Sequence, residues 1–382
     1  MTILIAALSG RALAAAARRS GENVIVADFF GDLDTRDLAR WLRLPGDLEA
    51  GVERGRLGEA LSVAGPFDGV VYGAGFEHEP ALLRALAELA PLIGNTPETV
   101  AATKDPVGFA ALLSRLGLTH PATADLPSLD TDFLCKRRGG AGGTHIRWTD
   151  SHAVPDKRNY YQVFAAGQPH SALFAANGRA ARIIGLSRQW TAPTVTAPFR
   201  YGGCAGPASL SPSLARAIAE ACTALAASLG LVGLNSLDML VEGDEFAVLE
   251  VNPRPGATLD IFDGTASGAL LWEWHRRAVR GELPPASTTL RGGARAAMIL
   301  YAEEAIEVPL AMRWENWVVD VPSPCSAISA GAPICTILAE GPDVAAAEAL
   351  VRARSAALRR RLSSLRGRFR GPADACERHV AH

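Results

Sequence analysis

The sequence lacks several features that would place it in a common class of protein. No stretch approaches the ~20 consecutive apolar residues of a membrane-spanning helix, and the segment from Met1 to Leu8 has no basic flank of the kind found in signal peptides. The six cysteines form no Cys-x-x-Cys pair, which predicts reduced, structural thiols. We therefore expect a cytoplasmic protein that does not enter the membrane.

An excess of one charge is also missing. The formal net charge is −2 at pH 7, with 48% apolar and 20% charged residues. This composition is typical of a globular protein and gives no general attraction to nucleic acid or to an anionic membrane. Small molecules are the expected partners.

Two nucleotide-binding motifs are absent. The first turn, around Gly10, lacks the Gly-x-Gly-x-x-Gly spacing of a dinucleotide site, although Asp28 could serve as a ribose ligand. No Gly-Lys-Ser/Thr follows the glycine-rich run from Gly139 to Gly143, so this run is not a Walker A loop. No Met-Lys-Met segment is available to accept biotin. The missing Gly-x-Gly-x-x-Gly spacing disfavours a nicotinamide-dependent dehydrogenase.

Lysine is scarce, since 38 basic residues include only Lys104, Lys136 and Lys157. Lysine carries a compact charge on a flexible stem, which suits phosphate oxygens that shift during transfer. The lysines are therefore candidate phosphate ligands. Chance retention at the surface is the alternative for Lys157.

The chain is too long for one ordinary core, and its length predicts roughly two or three domains. In residues 1–95 strands alternate with helices, which predicts a doubly wound parallel α/β domain. Residues 96–285 combine helices with an antiparallel meander. Residues 286–382 predict a small mixed α/β domain that ends in an arginine-rich helix, either with a solvated face or with an acidic partner.

A glycine run follows the strand that contains Lys136. Its members are Gly139, Gly140, Gly142 and Gly143. Amides in such a flexible segment can wrap around phosphates, and we expect a mobile lid around residues 130–165. A glycine-rich hairpin loop without a ligand is the alternative.

A hairpin from Asp238 to Arg254 carries the strongest pattern. Two strand-forming runs flank Gly243-Asp-Glu245, which predicts a three-residue loop with Glu242 opposite Phe246. The same register puts Asp238 opposite Glu250, and Asn252 shares their face. The residues expected to face the core are Met239, Val241, Ala247, Leu249 and Val251. Two opposed carboxylates favour a bound cation, and hard oxygen ligands suit Mg²⁺ or Mn²⁺; a solvated acidic hairpin is the alternative.

The ordered set of lysines, glycine run, meander and hairpin resembles the ATP-grasp superfamily over roughly residues 1–285. Its most specific part is Glu250-Val-Asn-Pro-Arg254, with Asp238 twelve residues upstream of Glu250. The resemblance implies an ATP-grasp fold behind an α/β domain, with Mg²⁺ held by Asp238, Glu250 and Asn252. It also implies phosphate binding by Lys104 and Lys136, beneath a lid from Gly139 to Gly143.

The same resemblance places the adenine hinge at Gln162, Val163 and Phe164. The family often has an acidic residue where this chain has Val163. Gln162 or His170 is the expected replacement as ribose ligand. The family chemistry implies that a carboxylate attacks ATP to form an acyl phosphate, which an amine then captures, with Arg254 and Lys136 as catalytic residues.

A narrower resemblance is to the ATP-dependent carboligase-like members, through Gly185-Leu-Ser-Arg-Gln-Trp190 and Pro198-Phe-Arg-Tyr-Gly202. Some of these proteins accompany pathways to one-carbon carriers of the methanopterin and methanofuran type, which suggests glutamate ligation. His275 and Asp260 are further candidates for substrate contact. A biotin-carboxylase-like carboxylase and a silent ATP-binding module are the alternatives, and a homodimer is the default assembly.

Overall fold

The computed structural model describes residues 2–48, 50–126, 132–149, 156–264, 270–285, 290 and 292–366. The predicted fold class, α/β and α+β, is confirmed, because a parallel sheet precedes two antiparallel sheets. Residues 367–382, the last part of the predicted C-terminal domain, lie outside the described part.

The N-terminal region is a four-stranded parallel sheet in the order β3-β2-β1-β6 with helices packed on it. Its elements are β1 (Ile3–Ala6), α1 (Arg11–Arg19), β2 (Val24–Asp28), α2 (Leu33–Leu38), β3 (Arg40–Arg43), β4 (Gly46–Asp47), β5 (Gly51–Val52), α3 (Arg54–Ser62), β6 (Gly69–Tyr72) and α4 (Pro80–Leu89). Strands β1, β2 and β6 are buried at every position, as expected when helices cover both faces of a parallel sheet.

The next region contributes two helices and a small antiparallel sheet in the order β7-β10-β8-β9. Its elements are α5 (Pro97–Lys104), α6 (Pro106–Arg115), β7 (Thr123–Ala124), β8 (Phe133–Arg137), β9 (Arg147–Trp148) and β10 (Asn159–Val163). Thr96 and Asp105 cap α5 and α6, and a proline follows each cap at the first helical position. The residue that ends α5 is Lys104.

A single eight-stranded sheet in the order β15-β14-β11-β12-β13-β16-β20-β18 forms the rest of the body. Its strands and the remaining elements are β11 (Gln168–Asn177), β12 (Ala181–Thr191), β13 (Tyr201–Gly206), α7 (Pro212–Leu229), β14 (Val232–Glu242), β15 (Glu245–Asn252), α8 (Leu259–Phe262), α9 (Leu271–Val279), β16 (Ala294–Tyr301), β17 (Ile306–Glu307), β18 (Val318–Val319), β19 (Ala327–Ile328), β20 (Pro333–Gly341) and α10 (Val344–Arg366). Strands β16, β18 and β20 thus extend the sheet of the preceding region. The three-domain division remains a prediction.

The arginines of α10 are largely occupied inside the protein. Arg352, Arg359 and Arg361 pair with Glu348, Glu303 and Glu315 respectively. Arg354 lies over the ring of Trp317. The Arg352 pair lies within the helix, whereas Arg354, Arg359 and Arg361 contact residues outside it, so these four arginines already have partners in the protein.

The cysteines follow the prediction with one exception. Cys135, Cys204, Cys222 and Cys335 are buried free thiols. Cys325 takes part in a disulfide, which corrects the expectation that the described thiols are all reduced. No helix in the described part of the chain combines the length and the apolar character needed to cross a membrane.

Candidate active site

The hairpin of β14 and β15 brings the predicted carboxylates together by a route that differs from the prediction. Glu242 pairs with Glu245, so the turn is Gly243-Asp244, one residue shorter than expected. A β-bulge between Asp238 and Met239 then restores the register, and Asp238 does lie opposite Glu250. The bulge adds one residue to β15.

The bulge also changes which side chains enter the core. Met239, Val241 and Val251 are buried as predicted. On β15, Val248 is fully buried, whereas its neighbours Ala247 and Leu249 are only partly buried. The prediction that Ala247 and Leu249 face the core is therefore wrong, because it assumed an unbroken ladder.

Lys104 reaches the hairpin from the end of α5. Its Nζ donates to Glu250 Oε2 at 2.9 Å and to Asn252 Oδ1 at 3.0 Å. The Lys104 side chain is 8% exposed, whereas that of Glu250 is 41% exposed. The ammonium group is thus held below a carboxylate that remains open to the cleft.

Asp238 is held from both sides. Asn252 Nδ2 donates to its Oδ2 at 2.9 Å, and Ser171 Oγ on β11 donates to its Oδ1 at 2.6 Å. Burial and the charge of Glu250 raise the pKa of Asp238 above its ordinary value. Burial opposes ionisation of Glu250 as well, but Lys104 and Lys136 outweigh it and hold that pKa low.

Asp238, Glu250 and Asn252 form a set of hard oxygen ligands, in which the negative charge of Glu250 opposes ionisation of Asp238. Within the described ranges no cluster of three or more His, Cys, Asp or Glu side chains has metal-binding geometry. The set here consists of two carboxylates and an amide oxygen. Such a set fits Mg²⁺ shared with phosphate oxygens better than a metal held wholly by protein.

Lys136 faces the same cleft from β8. Its Nζ donates to Gln162 Oε1 at 2.6 Å on the neighbouring strand β10, and both side chains are buried. Burial lowers the pKa of Lys136, although Glu250 favours its charged form. Gln162 is therefore engaged in holding the lysine, which argues against its role as ribose ligand.

The predicted hinge residues end β10. The Val163 N–H donates to Ala122 O at 2.9 Å, and the Phe164 N–H donates to Asp132 O at 2.8 Å. These N–H groups are used inside the protein. A backbone contact to a base must come from their carbonyl oxygens or from residues 165–167, which connect β10 to β11.

The glycine run packs closely on its surroundings. A Cβ on Gly139, which has φ +66°, would lie 2.4 Å from the Cα of His78. A Cβ on Gly143 would lie 2.0 Å from the carbonyl oxygen of Phe199. The run thus touches the N-terminal region on one side and the entry to β13 on the other, as a closed lid does, and only glycine permits this approach.

His145 ends this run and faces the charged centre. Its Nδ1 accepts the Arg137 N–H at 3.2 Å, and its ring packs on Gly140. Burial lowers the pKa of His145 to about 4, although Glu250 favours protonation. The imidazole is therefore neutral near pH 7. His145 was not predicted as a site residue, because a histidine beside glycines carries no specific signal in a sequence.

Arg254 does not lie free in the cleft. Its Nε donates to Glu77 Oε1 at 2.5 Å, and both side chains are buried. Glu77 follows β6 in the N-terminal region and was missed by the sequence analysis. Its position after the carboxyl end of a parallel strand, where ligand sites commonly form, was the available signal.

Four further candidates are placed elsewhere. Asp28 is fully buried and accepts bonds from Gly10, Gly31 and Trp41. His275 joins the Leu234 N–H to the carbonyl of Ile93. Asp260 is paired with Arg11, and His170 is buried with its Nδ1 against Gln168 O. The first three of these side chains stabilise the fold.

Comparison with known proteins also indicates an ATP-grasp domain. A family model described as ATP-grasp domain matches residues 104–258. The D-alanine–D-alanine ligase of Desulforudis audaxviator (strain MP104C) is 26% identical over 295 residues, which cover 68% of this chain and 87% of that protein. The carbamoyl phosphate synthase large chain of Myxococcus xanthus (strain DK1622) is 25% identical over 205 residues. That match covers 47% of this chain but only 19% of the much longer synthase chain.

Solved structures show the same fold. A biotin carboxylase complex from Campylobacter jejuni matches with a TM-score of 0.69 and 16% identity, covering 91% of this chain and 89% of that chain. Residues 104–258 therefore match the ATP-grasp domain family, within a chain that shares the fold of this biotin carboxylase over most of its length.

Proposed function

We propose that the chain is an ATP-dependent ligase that joins a carboxylate to an amine through an acyl phosphate, releasing ADP and phosphate. The observation that carries this proposal is the contact of Lys104 with both Glu250 and Asn252, opposite Asp238. A cationic group already lies against the oxygens that would hold a divalent ion. The resemblance to a D-alanine–D-alanine ligase supports the same bond type.

ATP and Mg²⁺ (or Mn²⁺) are the proposed cofactors. Asp238, Glu250 and Asn252 would hold the cation, which when bound neutralises charge on the phosphates. Lys104 and Lys136 would bind phosphate oxygens, and Gly139, Gly140, Gly142 and Gly143 would cover them. We place the adenine at the β10 end, against Gln162, Val163 and Phe164.

The chain's own residues supply the remaining requirements. The closed lid excludes water, which would otherwise hydrolyse an activated acyl group. Arg254, beside the metal ligands, would bind developing negative charge on the transferred group and on the carbonyl under attack. Lys136, held by Gln162, would act on the same phosphate from the opposite strand.

A narrower form of the proposal is glutamate addition to an amine in a one-carbon carrier of the methanopterin or methanofuran type. It is supported by the carboligase-like motifs, which include Gly185. In the structure a Cβ on Gly185 would lie 2.6 Å from the ring of Phe262, so this glycine serves packing rather than substrate contact. The partners in either form are small molecules, and a homodimer is the proposed assembly.

A biotin-carboxylase-like reaction is a second candidate, favoured by the structural match over nearly the whole chain. Bicarbonate would then be the acid that is phosphorylated. ADP release that requires bicarbonate and no amine would favour the carboxylase, and release that requires an amine would favour the ligase.

The nucleotide site is tested by thermal shift with MgATP. We expect MgATP to raise the melting temperature of the wild-type protein and to have no such effect on Glu250→Ala. Lys157→Met, at an exposed position outside the cleft, is the matched control and should respond like the wild type. Stabilisation by NAD instead of MgATP would contradict the assignment. ADP formation with amino acids and candidate acids then separates a ligase from a silent nucleotide-binding module.

A further inference from the structure

Three groups of the N-terminal region meet the segment that contains Arg254. Tyr72 OH donates to Pro253 O at 3.2 Å, and Asn95 Nδ2 donates to the same oxygen at 2.9 Å. Glu77 holds the guanidinium of Arg254 itself. The backbone and the side chain at this position are therefore both fixed by residues that precede the ATP-grasp domain.

The carboxylate of Glu77 is itself held rigidly. Its side chain is 1% exposed; Oε2 accepts the Gly75 N–H at 2.9 Å while Oε1 accepts Arg254 Nε at 2.5 Å. Burial opposes ionisation of Glu77, but Arg254 and Lys104 outweigh it and hold its pKa below the ordinary range. A fixed anion at Nε leaves the guanidinium with one preferred orientation, since its five donors form a planar fork.

We propose that Glu77 is a positioning residue, which holds Arg254 beside the metal ligands Asp238 and Glu250 so that it meets the transferred phosphoryl group. This role rests on the proposed function. The Arg254 N–H donates to the carbonyl oxygen of Asn252 at 2.9 Å, so the side chain starts two residues beyond a proposed metal ligand, at the end of the strand that carries Glu250. The N-terminal region thus supplies a side chain that the ATP-grasp domain alone lacks.

The next residue, His78, carries the contact with lid residue Gly139. The pair Glu77 and His78 therefore touches Arg254 and the lid at once. The loop that contains Glu77 and His78 therefore holds Arg254 and also contacts the lid. Gly139 lies against the backbone of His78, so a change of the Glu77 side chain does not remove this contact.

The test measures how quickly phenylglyoxal, an arginine-specific dicarbonyl reagent, modifies Arg254, by mass spectrometry of the peptide. In Glu77→Gln we expect modification at least about tenfold faster than in the wild type, since a charge-assisted bond becomes a neutral one. Glu77→Asp keeps the charge and should give an intermediate rate. An unchanged rate in a folded Glu77→Gln protein would overturn the proposal.

The matched control is Asp263→Asn. The side chain of Asp263 is also fully buried. It forms an ion pair with Arg19 and accepts a hydrogen bond from the Leu271 N–H. It should leave the rate at Arg254 unchanged while imposing a comparable structural loss. If Glu77→Gln does not fold, Glu77→Asp carries the comparison, and a wild-type rate in that variant would count against the proposal.

A second readout separates positioning from a purely structural pair. In the wild type MgATP should protect Arg254 from phenylglyoxal more than MgADP does, because only ATP carries the group to be transferred. This difference should vanish in Glu77→Gln although MgADP still binds. Retained protection in that variant would refute the positioning role. Failure of either nucleotide to bind the wild type would instead refute the proposed function, and the modification rates would still report on the ion pair.

Discussion

Lys104 lies where a metal ion is expected, against Glu250 Oε2 and Asn252 Oδ1. An ammonium group there offsets the charge of Glu250, which explains why its pKa is low while that of Asp238 is high. In the proposed metal site, a divalent ion would compete with Lys104 for these oxygens and would leave the lysine available to phosphate.

Residue type and spacing together predicted which groups meet at this centre, but residue type misjudged other single residues. Asp238, Glu250 and Lys104 were found because carboxylates at hairpin spacing and rare lysines are strong signals. His275 and Asp260 were candidates because of their chemistry, yet each has a structural partner far away in sequence. Glu77 was missed because its partner Arg254 lies 177 residues further along the chain.

His275 predicts a pH dependence of stability. It is 2% exposed, and burial lowers its pKa to about 4 from an ordinary 6.5. As pH falls below about 6.5 the unfolded chain takes up the proton first, so stability is lost between about pH 6.5 and 4. The difference corresponds to about 3 kcal/mol. His275→Gln should be less stable at pH 7 but should show a flatter profile, measured by urea unfolding across this range. Parallel profiles for the two proteins would contradict this account.

At the level of elements, hydrophobic period predicted the kind of structure in each region. Strand β6 (Gly69–Tyr72) belongs to the alternating strands and helices predicted for residues 1–95, and α7 (Pro212–Leu229) to the helices predicted within residues 96–285. The hairpin turn was wrong by one residue, and the bulge in β15 compensated for it. A bulge leaves no clear mark on an apolar pattern, because it moves one residue without changing composition.

The lid gives a prediction at the same scale. Gly139 and Gly142 both have positive φ, +66° and +71°. A Cβ on Gly139 would clash with His78, whereas a Cβ on Gly142 meets nothing within 4 Å. Both alanine variants pay about 1–2 kcal/mol for the left-handed backbone, but only Gly139→Ala should also prevent closure.

We therefore expect Gly139→Ala to weaken MgATP binding at least about tenfold more than Gly142→Ala does, equivalent to about 1.4 kcal/mol. Isothermal titration calorimetry measures the affinities. Limited proteolysis within the lid should be faster in Gly139→Ala with nucleotide bound. Equal affinities in the two variants would show that the contact with His78 does not govern closure.

At the scale of the whole molecule, the regions are joined by buried charge. Arg11 on α1 donates to Asp260 at 2.5 and 2.7 Å and to Asp320 at 3.1 Å. Asp260 belongs to α8, and Asp320 follows β18. One guanidinium thus links the parallel sheet to two parts of the body. Sequence could not reveal this junction, because its members are 249 and 309 residues apart.

Arg11→Met should destabilise the whole molecule, since it leaves the partly buried carboxylates of Asp260 and Asp320 without their cation. Breaking a buried pair by removing one member costs about 3–5 kcal/mol. Arg295→Met is the control, because Arg295 makes an ion pair with the exposed Glu340 at 2.8 Å, which contributes about 0–1 kcal/mol, and one hydrogen bond to the Asp263 carbonyl oxygen at 3.0 Å, which contributes about 1 kcal/mol. Differential scanning calorimetry of both variants measures the effect.

Because Arg11 joins the regions, its loss should also separate the unfolding of the N-terminal region from that of the body, giving two transitions where the wild type and Arg295→Met give one. A single transition at the wild-type temperature in Arg11→Met would show that apolar contacts between the regions hold them together without this cation.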